Sequence, residues 1–279
     1  MPLHLLPGQI VQRAVLLPAF PLVVKDILHT LDDESAALST LSDLVAKDPV
    51  ITARIFSMAN AAASAGSGRR EIRDIQVALS LIGMARLREI ALTVSIAEFS
   101  RACRMDRNFW RHSVAVGVAT QELARQGQFS ADIALVCGLV HDIGSLWMAR
   151  CQPLEFQMVR NSMEADPGLD IIDAERLHFG ADHCWIGAVL ASAWGLPEPV
   201  VAAIAHHHDP EPPLDKLVAA THVGEVLANA LDLASPAPAS VRHLSAAACT
   251  LLGLDWSQDM TYLFGRIEAR VRHLGRFFD

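Results

Sequence analysis

Residues 133–144 read I-A-L-V-C-G-L-V-H-D-I-G. Eight apolar or small residues, Ile133 to Val140, run without interruption and stop at His141-Asp142. A membrane-spanning helix needs ~20 consecutive apolar residues, so membrane insertion is not expected. Ile133, Cys137 and His141 recur at intervals of four and share one helical face. The stretch therefore reads as a core helix that carries a histidine toward the interior.

Outward from this stretch the same periodicity recurs. Upstream, Ile51, Ile55, Met58, Ala59 and Ala62 form one stripe after Asp48-Pro49, a capping residue and a first-turn proline. Leu38, Leu41, Leu44 and Val45 form another, and Ser64 to Arg70 is a turn-forming break. Helical patterning resumes at Asp74, a residue suited to capping the next helix, and passes through Gly83 into Leu87, Ile90, Ala91 and Val94. Further helices are expected at about 108–126, 130–150, 151–165, 182–194, 198–207 and 214–232. Pro236 and Pro238 mark a linker, and a last helical segment ends in Phe277 and Phe278. No run alternates convincingly enough to be a strand. The fold class expected is all-α.

Composition agrees. Apolar residues are 52% of the 279, charged residues 19% and aromatics 6%, which suits close helix packing better than sheets. The net charge is −8 with no basic tract beyond Arg69-Arg70. Direct nucleic-acid binding is disfavoured, because neutralising phosphates takes clustered Lys and Arg. The five cysteines are scattered without a C-x-x-C pair and read as reduced, mostly buried thiols. No signal peptide is evident at the start. A cytoplasmic location is the expectation. Neither a phosphate-binding G-x-x-x-x-G-K-S/T loop nor a G-x-S-x-G elbow occurs, so kinase and serine-hydrolase chemistry lack support.

The twelve histidines cluster in an informative way. His112 lies in W-R-H-S-V, His141-Asp142 closes the apolar helix, and His183 follows Ala181-Asp182 at a helix start. His206-His207-His208 ends another helix, and Glu225 lies on the next. Imidazole and carboxylate are common ligands of divalent Fe, Mn and Zn, and bundle cores can gather them from facing helices. A buried histidine without a partner costs ~1–3 kcal/mol, so His112, His141, Asp142 and His183 are expected to converge in one pocket, joined by His207 or His208. Any one of them alone is more often a core histidine bonded to a carbonyl, and the histidine triplet alone could be a solvated helix end. Adjacent His141 and Asp142 diverge by ~100° on a helix, so periodicity does not make them share an ion. Trp110, Trp185 and Trp194 read as packing residues. Arg86 and Arg88 read as a solvated face or as partners of an acidic surface.

The order His112, His141-Asp142, His183, His207-His208, Glu225 resembles the HD superfamily. The wider pattern resembles its HDOD family of bacterial signalling modules, over about residues 15 to 232. The marks are L-P-A-F-P (17–21), K-D-P-V-I-T-A-R-I-F-S-M-A-N (47–60), I-Q-V-A-L-S-L-I-G-M-A-R-L (75–87), F-W-R-H-S (109–113), G-L-V-H-D-I-G (138–144) and W-G-L-P-E-P-V-V-A-A-I-A-H-H-H-D-P (194–210). The resemblance implies two packed helical bundles: residues 15–104, then an HD-like bundle over 105–232. Residues 233–279 would be a C-terminal helical extension. It implies a regulatory module that binds protein or small ligands, with signalling proteins as partners.

Compared with the related HD-GYP cyclic-di-nucleotide phosphodiesterases, His112, His141, Asp142, His183, His207 and His208 stand at matching metal-ligand positions. Glu225 stands where an aspartate is expected. Asn108 falls where those enzymes carry a glutamate ligand and Ala228 where they carry a lysine. D-P-E-P-P follows His208, with no G-Y-P loop. Metal binding by His112, His141, Asp142, His183, His207, His208 and Glu225 is thus implied, with Fe, Mn or Zn as the candidate ions. The alternative to a binding module is a metal-dependent phosphohydrolase acting on nucleotides, with Asp142 as its catalytic residue; the departures weigh against hydrolysis of cyclic di-nucleotides.

Overall fold

The computed structural model of the chain describes residues 5–29, 49–64, 72–104, 106–210, 214–233 and 243–275. The 38–45 stripe, most of the 64–70 break, the Pro236–Pro238 linker and the terminal Phe277-Phe278 lie outside the described residues. Every regular element among the described residues is helical.

In chain order the helices are α1 (Pro7–Arg13), α2 (Leu22–His29), α3 (Pro49–Ser64), α4 (Ile75–Ile82), α5 (Met84–Cys103), α6 (Arg107–Gln126), α7 (Ala131–Val140) and α8 (Ile143–Cys151). They continue as α9 (Pro153–Ala165), α10 (Ile171–Phe179), α11 (His183–Ala193), α12 (Glu198–His206), α13 (Lys216–Ala230), α14 (Ala246–Leu251) and α15 (Thr261–Gly275). A short 3-10 turn, Ala14–Leu16, succeeds α1.

Two compact units emerge. One comprises Pro21–Phe99; the other joins residues 1–20 to residues 100–279. In the smaller unit α3 packs on α4. Ile55 and Ala59 of the expected stripe are fully buried there, with Leu79, Leu87, Ile90 and Ile96. Asp74 caps α4, accepting the Val77 N–H at 3.1 Å.

The larger unit is organised on α6, which packs against α7, α13 and α15, while α11 packs against α8 and α12. Starts are fixed by aspartates whose carboxylates accept a backbone N–H two or three residues on: Asp106 for α6, Asp170 for α10, Asp182 for α11 and Asp215 for α13. Each such cap is worth ~1 kcal/mol. Trp147, Phe179, Ile10, Leu135 and Leu139 are among its largest fully buried side chains, each contributing ~1.5–3 kcal/mol by burial. The Trp147 indole N–H donates to the Ile10 carbonyl at 3.0 Å, tying α1 to α8. Trp110 is buried and Trp194 stacks on Phe20 with 5.1 Å between ring centroids. Trp185 departs from the packing reading, with 38% of its surface exposed.

The helix expected over 130–150 is interrupted. α7 ends at Val140 and α8 begins at Ile143, leaving His141 and Asp142 in the turn between them. Taken together, Ala131–Cys151 is long and apolar enough to cross a membrane, but 72% of it is covered by the protein's own interior. Two glycines set the approach of its neighbours. A Cβ on Gly138 would fall 2.6 Å from the Gly117 Cα, so α6 and α7 touch backbone to backbone. A Cβ on Gly144 would fall 1.9 Å from the His183 carbonyl oxygen, so α8 rests on the start of α11.

Candidate metal centre

These contacts bring together all seven residues singled out in the sequence. The centre of the cluster is the Asp142 carboxylate. Its Oδ1 lies 3.3 Å from His183 Nε2 and 3.8 Å from His207 Nε2. Its Oδ2 lies 3.3 Å from His141 Nε2 and 3.9 Å from His112 Nε2. Glu225 approaches from α13, with Oε2 at 2.9 Å from His141 Nε2 and Oε1 at 3.7 Å from His112 Nε2. The His208 ring packs on His207 and His183, at centroid distances of 4.5 and 4.9 Å.

His141 and Asp142 meet because neither is inside a helix. On a continuous helix their side chains would diverge by ~100°; in the turn after Val140 the Asp142 carboxylate folds back onto the imidazole that precedes it.

The orientation of the rings is informative. His141 Nδ1 lies 2.8 Å from the Gly138 carbonyl, and His207 Nδ1 lies 2.8 Å from the Ile204 carbonyl. His183 Nδ1 lies 2.7 Å from Glu175 Oε2, which also accepts the His183 backbone N–H at 2.8 Å. A carbonyl can only accept, so Nδ1 of His141 and of His207 carries the proton, and the buried Glu175 carboxylate imposes the same on His183. In the neutral rings all three Nε2 lone pairs then face one another around Asp142. The outward N–H bonded to a carbonyl or carboxylate is what metal-ligating imidazoles characteristically have.

Two further observations test whether a cation fits. His183 Nε2 and His207 Nε2 stand 3.3 Å apart, a separation at which two bare lone pairs repel unless something positive lies between them. The buried His141 Nε2 and Glu225 Oε2 have no properly directed hydrogen bond despite their closeness. The donors could hold a metal ion in several combinations: His112, His141 and Asp142; His141, His207 and Glu225; or His183, Cys184, His207 and His208.

Electrostatics leads to the same demand. Burial opposes ionisation of Asp142, yet the His141 and His183 imidazoles outweigh it and hold the carboxyl far below its ordinary range. Glu225 is likewise held well below its usual value, burial being overcome by His141 and His112. Burial disfavours charge on His141 as well, but Asp142 and Glu225 lift it well above 6.5. His207 goes the other way, driven down by burial and by the His208 and His141 rings. The two carboxylates thus require positive charge, and among the described residues the only cationic side chains paired with them are imidazoles. Protons or a metal ion must supply that charge.

A cleft of about 580 Å³ opens onto the cluster, with His112, His207, His208 and Glu225 in its wall. Asp142 and His112 each keep 19% of their side-chain surface accessible, so the centre can be reached from solvent. Of the other positions weighed in the sequence, Asn108 is exposed at the first turn of α6, and Ala228 is buried against Ala115 and Val116.

Three participants escape the sequence reading. Glu175 lies on α10, within a segment left without a helix; Asp170 before it and Gly180 after it, at φ 72°, are the cap signals that could have located α10. Cys184 lies 3.6 Å from His183 Nε2. His222 Nδ1 donates to the His207 carbonyl at 2.7 Å, its Nε2 accepting the Ser245 N–H at 3.0 Å.

Comparison with known proteins places this arrangement. The sequence pattern of the HDOD domain matches residues 17–210. An uncharacterized protein of Treponema pallidum (strain Nichols) is 25% identical over 207 residues, or 73% of this chain and 40% of that protein. The chain therefore spans well under half the length of that curated relative. A crystal structure of an HDOD domain protein with unknown function from Geobacter sulfurreducens superposes with a TM-score of 0.74 at 24% identity, covering 97% of this chain and 98% of that one. A candidate phosphohydrolase from Shewanella amazonensis SB2B gives 0.71 at 23% identity, covering 97% and 98%. A candidate signal transduction protein from Marinobacter aquaeolei VT8 gives 0.70 at 23%, covering 96% of this chain and 59% of that one. At these identities the structural likeness is one of fold.

Proposed function

The chain belongs to the HDOD domain family, and from that membership we propose that it is a cytoplasmic regulatory module of bacterial signal transduction whose HD-like bundle is built around a divalent-metal centre. The observation that carries the metal is the set of three imidazoles, His141, His183 and His207, whose Nδ1 atoms are engaged outward and whose Nε2 atoms converge on Asp142. His112, His208 and Glu225 complete the set of seven ligands. Fe, Mn and Zn are the ions such nitrogen and oxygen donors suit. The regulatory role follows the family and acts through signalling proteins that bind the module.

Hydrolysis is the second reading, favoured by the accessible cleft over the cluster. A bound ion would supply Lewis-acid activation of water toward a phosphate ester. In that reading Asp142 would help to take the proton of the attacking water. Fold alone does not choose between these readings.

The test has two arms. Elemental analysis of untagged protein should find a divalent transition metal that falls away in the Asp142→Ala variant; a full-length protein that never retains metal would remove the centre. Capture of defined signalling proteins should be unaffected by whether nucleotide substrates are turned over. Robust metal-dependent turnover of nucleotides, abolished by Asp142→Ala, would put the phosphohydrolase first.

A further inference from the structure

The donors around Asp142 are not equivalent. On the Oδ2 side they are nitrogen and oxygen only: His112, His141 and Glu225. On the Oδ1 side a sulfur joins them. Cys184 Sγ lies 3.6 Å from His183 Nε2, 4.0 Å from His207 Nε2 and 3.8 Å from His207 Nδ1. Neighbours on a helix ordinarily point ~100° apart, yet His183 and Cys184 both lean on His207. They can do so because they open the first turn of α11, and His207 stands just past the end of α12 in the angle between them. The thiol is also 6% exposed and faces a second cleft, of about 860 Å³, shared with Trp185 and His208.

The spacings have a definite meaning. Zinc–nitrogen bonds of ~2.0–2.1 Å and zinc–sulfur bonds of ~2.3 Å, set at tetrahedral angles, separate two nitrogens by about 3.3 Å and a nitrogen from a sulfur by about 3.6 Å. His183 Nε2 and His207 Nε2 are 3.3 Å apart, His183 Nε2 and Cys184 Sγ are 3.6 Å apart, and His183 Nε2 and Asp142 Oδ1 are 3.3 Å apart. Two pairs are wider, Cys184 Sγ and His207 Nε2 at 4.0 Å and His207 Nε2 and Asp142 Oδ1 at 3.8 Å, so binding draws His207 inward.

We propose that Cys184 is a thiolate ligand, and that His183, Cys184, His207 and Asp142 form a zinc-selective position distinct in character from the nitrogen-and-oxygen end at His112, His141 and Glu225. Thiolate is a soft donor that favours zinc over manganese or magnesium. On binding, the ion replaces the thiol proton, which leaves to solvent. This inference rests on the metal-centre reading above, and the experiment separates the two.

Full-length protein is stripped with chelator and loaded with Co²⁺, a spectroscopic stand-in for zinc. Wild type should develop a near-ultraviolet sulfur-to-cobalt charge-transfer band, and Cys184→Ser should bind cobalt without it. Zinc affinity should fall at least about tenfold in Cys184→Ser, no less than the loss of an outer hydrogen-bond partner costs, while manganese affinity stays the same. Cobalt bound by wild type without a thiolate band, or the same band in Cys184→Ser, would remove Cys184 from the ligands and leave the centre standing. Failure of wild type to bind cobalt at all would overturn the centre and this inference together. Because the wild-type spectrum decides by itself, a folding defect in the variant does not rescue the idea.

Discussion

Helix α6 meets a carboxylate cluster at each of its ends, and the two are balanced in opposite ways. Near its C-terminus Glu122, 3% exposed, is surrounded by guanidinia. Arg125 reaches it at 2.6 Å and Arg266 at 2.7 Å, and Arg270 bonds both Glu122 and the neighbouring Gln121 Oε1. Near the N-terminus of α6, beside His112, the cationic partners of Asp142 and Glu225 among the described residues are imidazoles. The first site contains its own permanent cations. The second contains cations only while its histidines hold protons, and otherwise must take one from outside. A cluster of buried charge signals a ligand when its balance is left open.

The strongest way to break this contrast is to move the scaffold. Gly144→Ala drives a methyl group into the His183 carbonyl. A loss of more than about 4 kcal/mol is expected, since a backbone atom cannot give way as a side chain can. Thermal unfolding measures it, and a loss under ~1 kcal/mol would show that α8 and α11 are not held at contact distance.

The next largest effect is expected at the closed site. Glu122→Ala leaves three arginines facing one another, for a loss of about 3 kcal/mol. That is the low end of what breaking a buried pair costs, because Arg125 and Arg266 keep 35% and 42% of their surface in solvent. The loss should be equal in metal-loaded and chelated protein; a dependence on metal would erase the contrast.

The open site should behave in the opposite sense. Asp142→Ala should lose ~2.7 kcal/mol in protein held at a hundred times its metal dissociation constant. In chelated protein the loss should be smaller, only what the carboxylate gains from the His141 and His183 imidazoles. Denaturant unfolding at the two metal levels reads the difference. Metal content should also fall in acid, as protons compete for the imidazoles.

The smallest effect concerns pH at the closed site. Burial pushes the Glu122 carboxyl up, but Arg270 and Arg125 outweigh it and hold it below its ordinary 4.5. A depressed carboxyl contributes stability above its unfolded value and loses it as pH falls through the folded one. Glu122→Gln should therefore cost ~1.5 kcal/mol at neutral pH, and the gap from wild type should narrow progressively below 4.5. A gap unchanged in acid would mean that charge is not what holds α15 to α6.

The two sites differ as much in legibility. Apolar surroundings singled out His112, His141, Asp142 and His183 with His207 or His208, and the family resemblance added Glu225 and the full set; the structure brings the seven side chains together. Periodicity disclosed the helices, and the burial of Ile55 and Ala59 agrees with it. The apolar run stops at His141-Asp142, but apolar residues resume at Ile143, which is why periodicity predicts one helix over 130–150 where there are two. Glu175 and Cys184 take their roles from distances to His183 and His207; the caps around α10 could mark a helix there but not the use of Glu175. Glu122 was invisible for the same reason: two of its arginines lie more than 140 residues away on α15.

The family match ends at residue 210, whereas Glu225 and His222 lie beyond it, and His222 joins the His207 carbonyl to the Ser245 backbone. A fragment trimmed to the recognised domain would lose the carboxylate opposite His141 and the brace behind His207. Truncation studies should therefore keep the chain at least through α14.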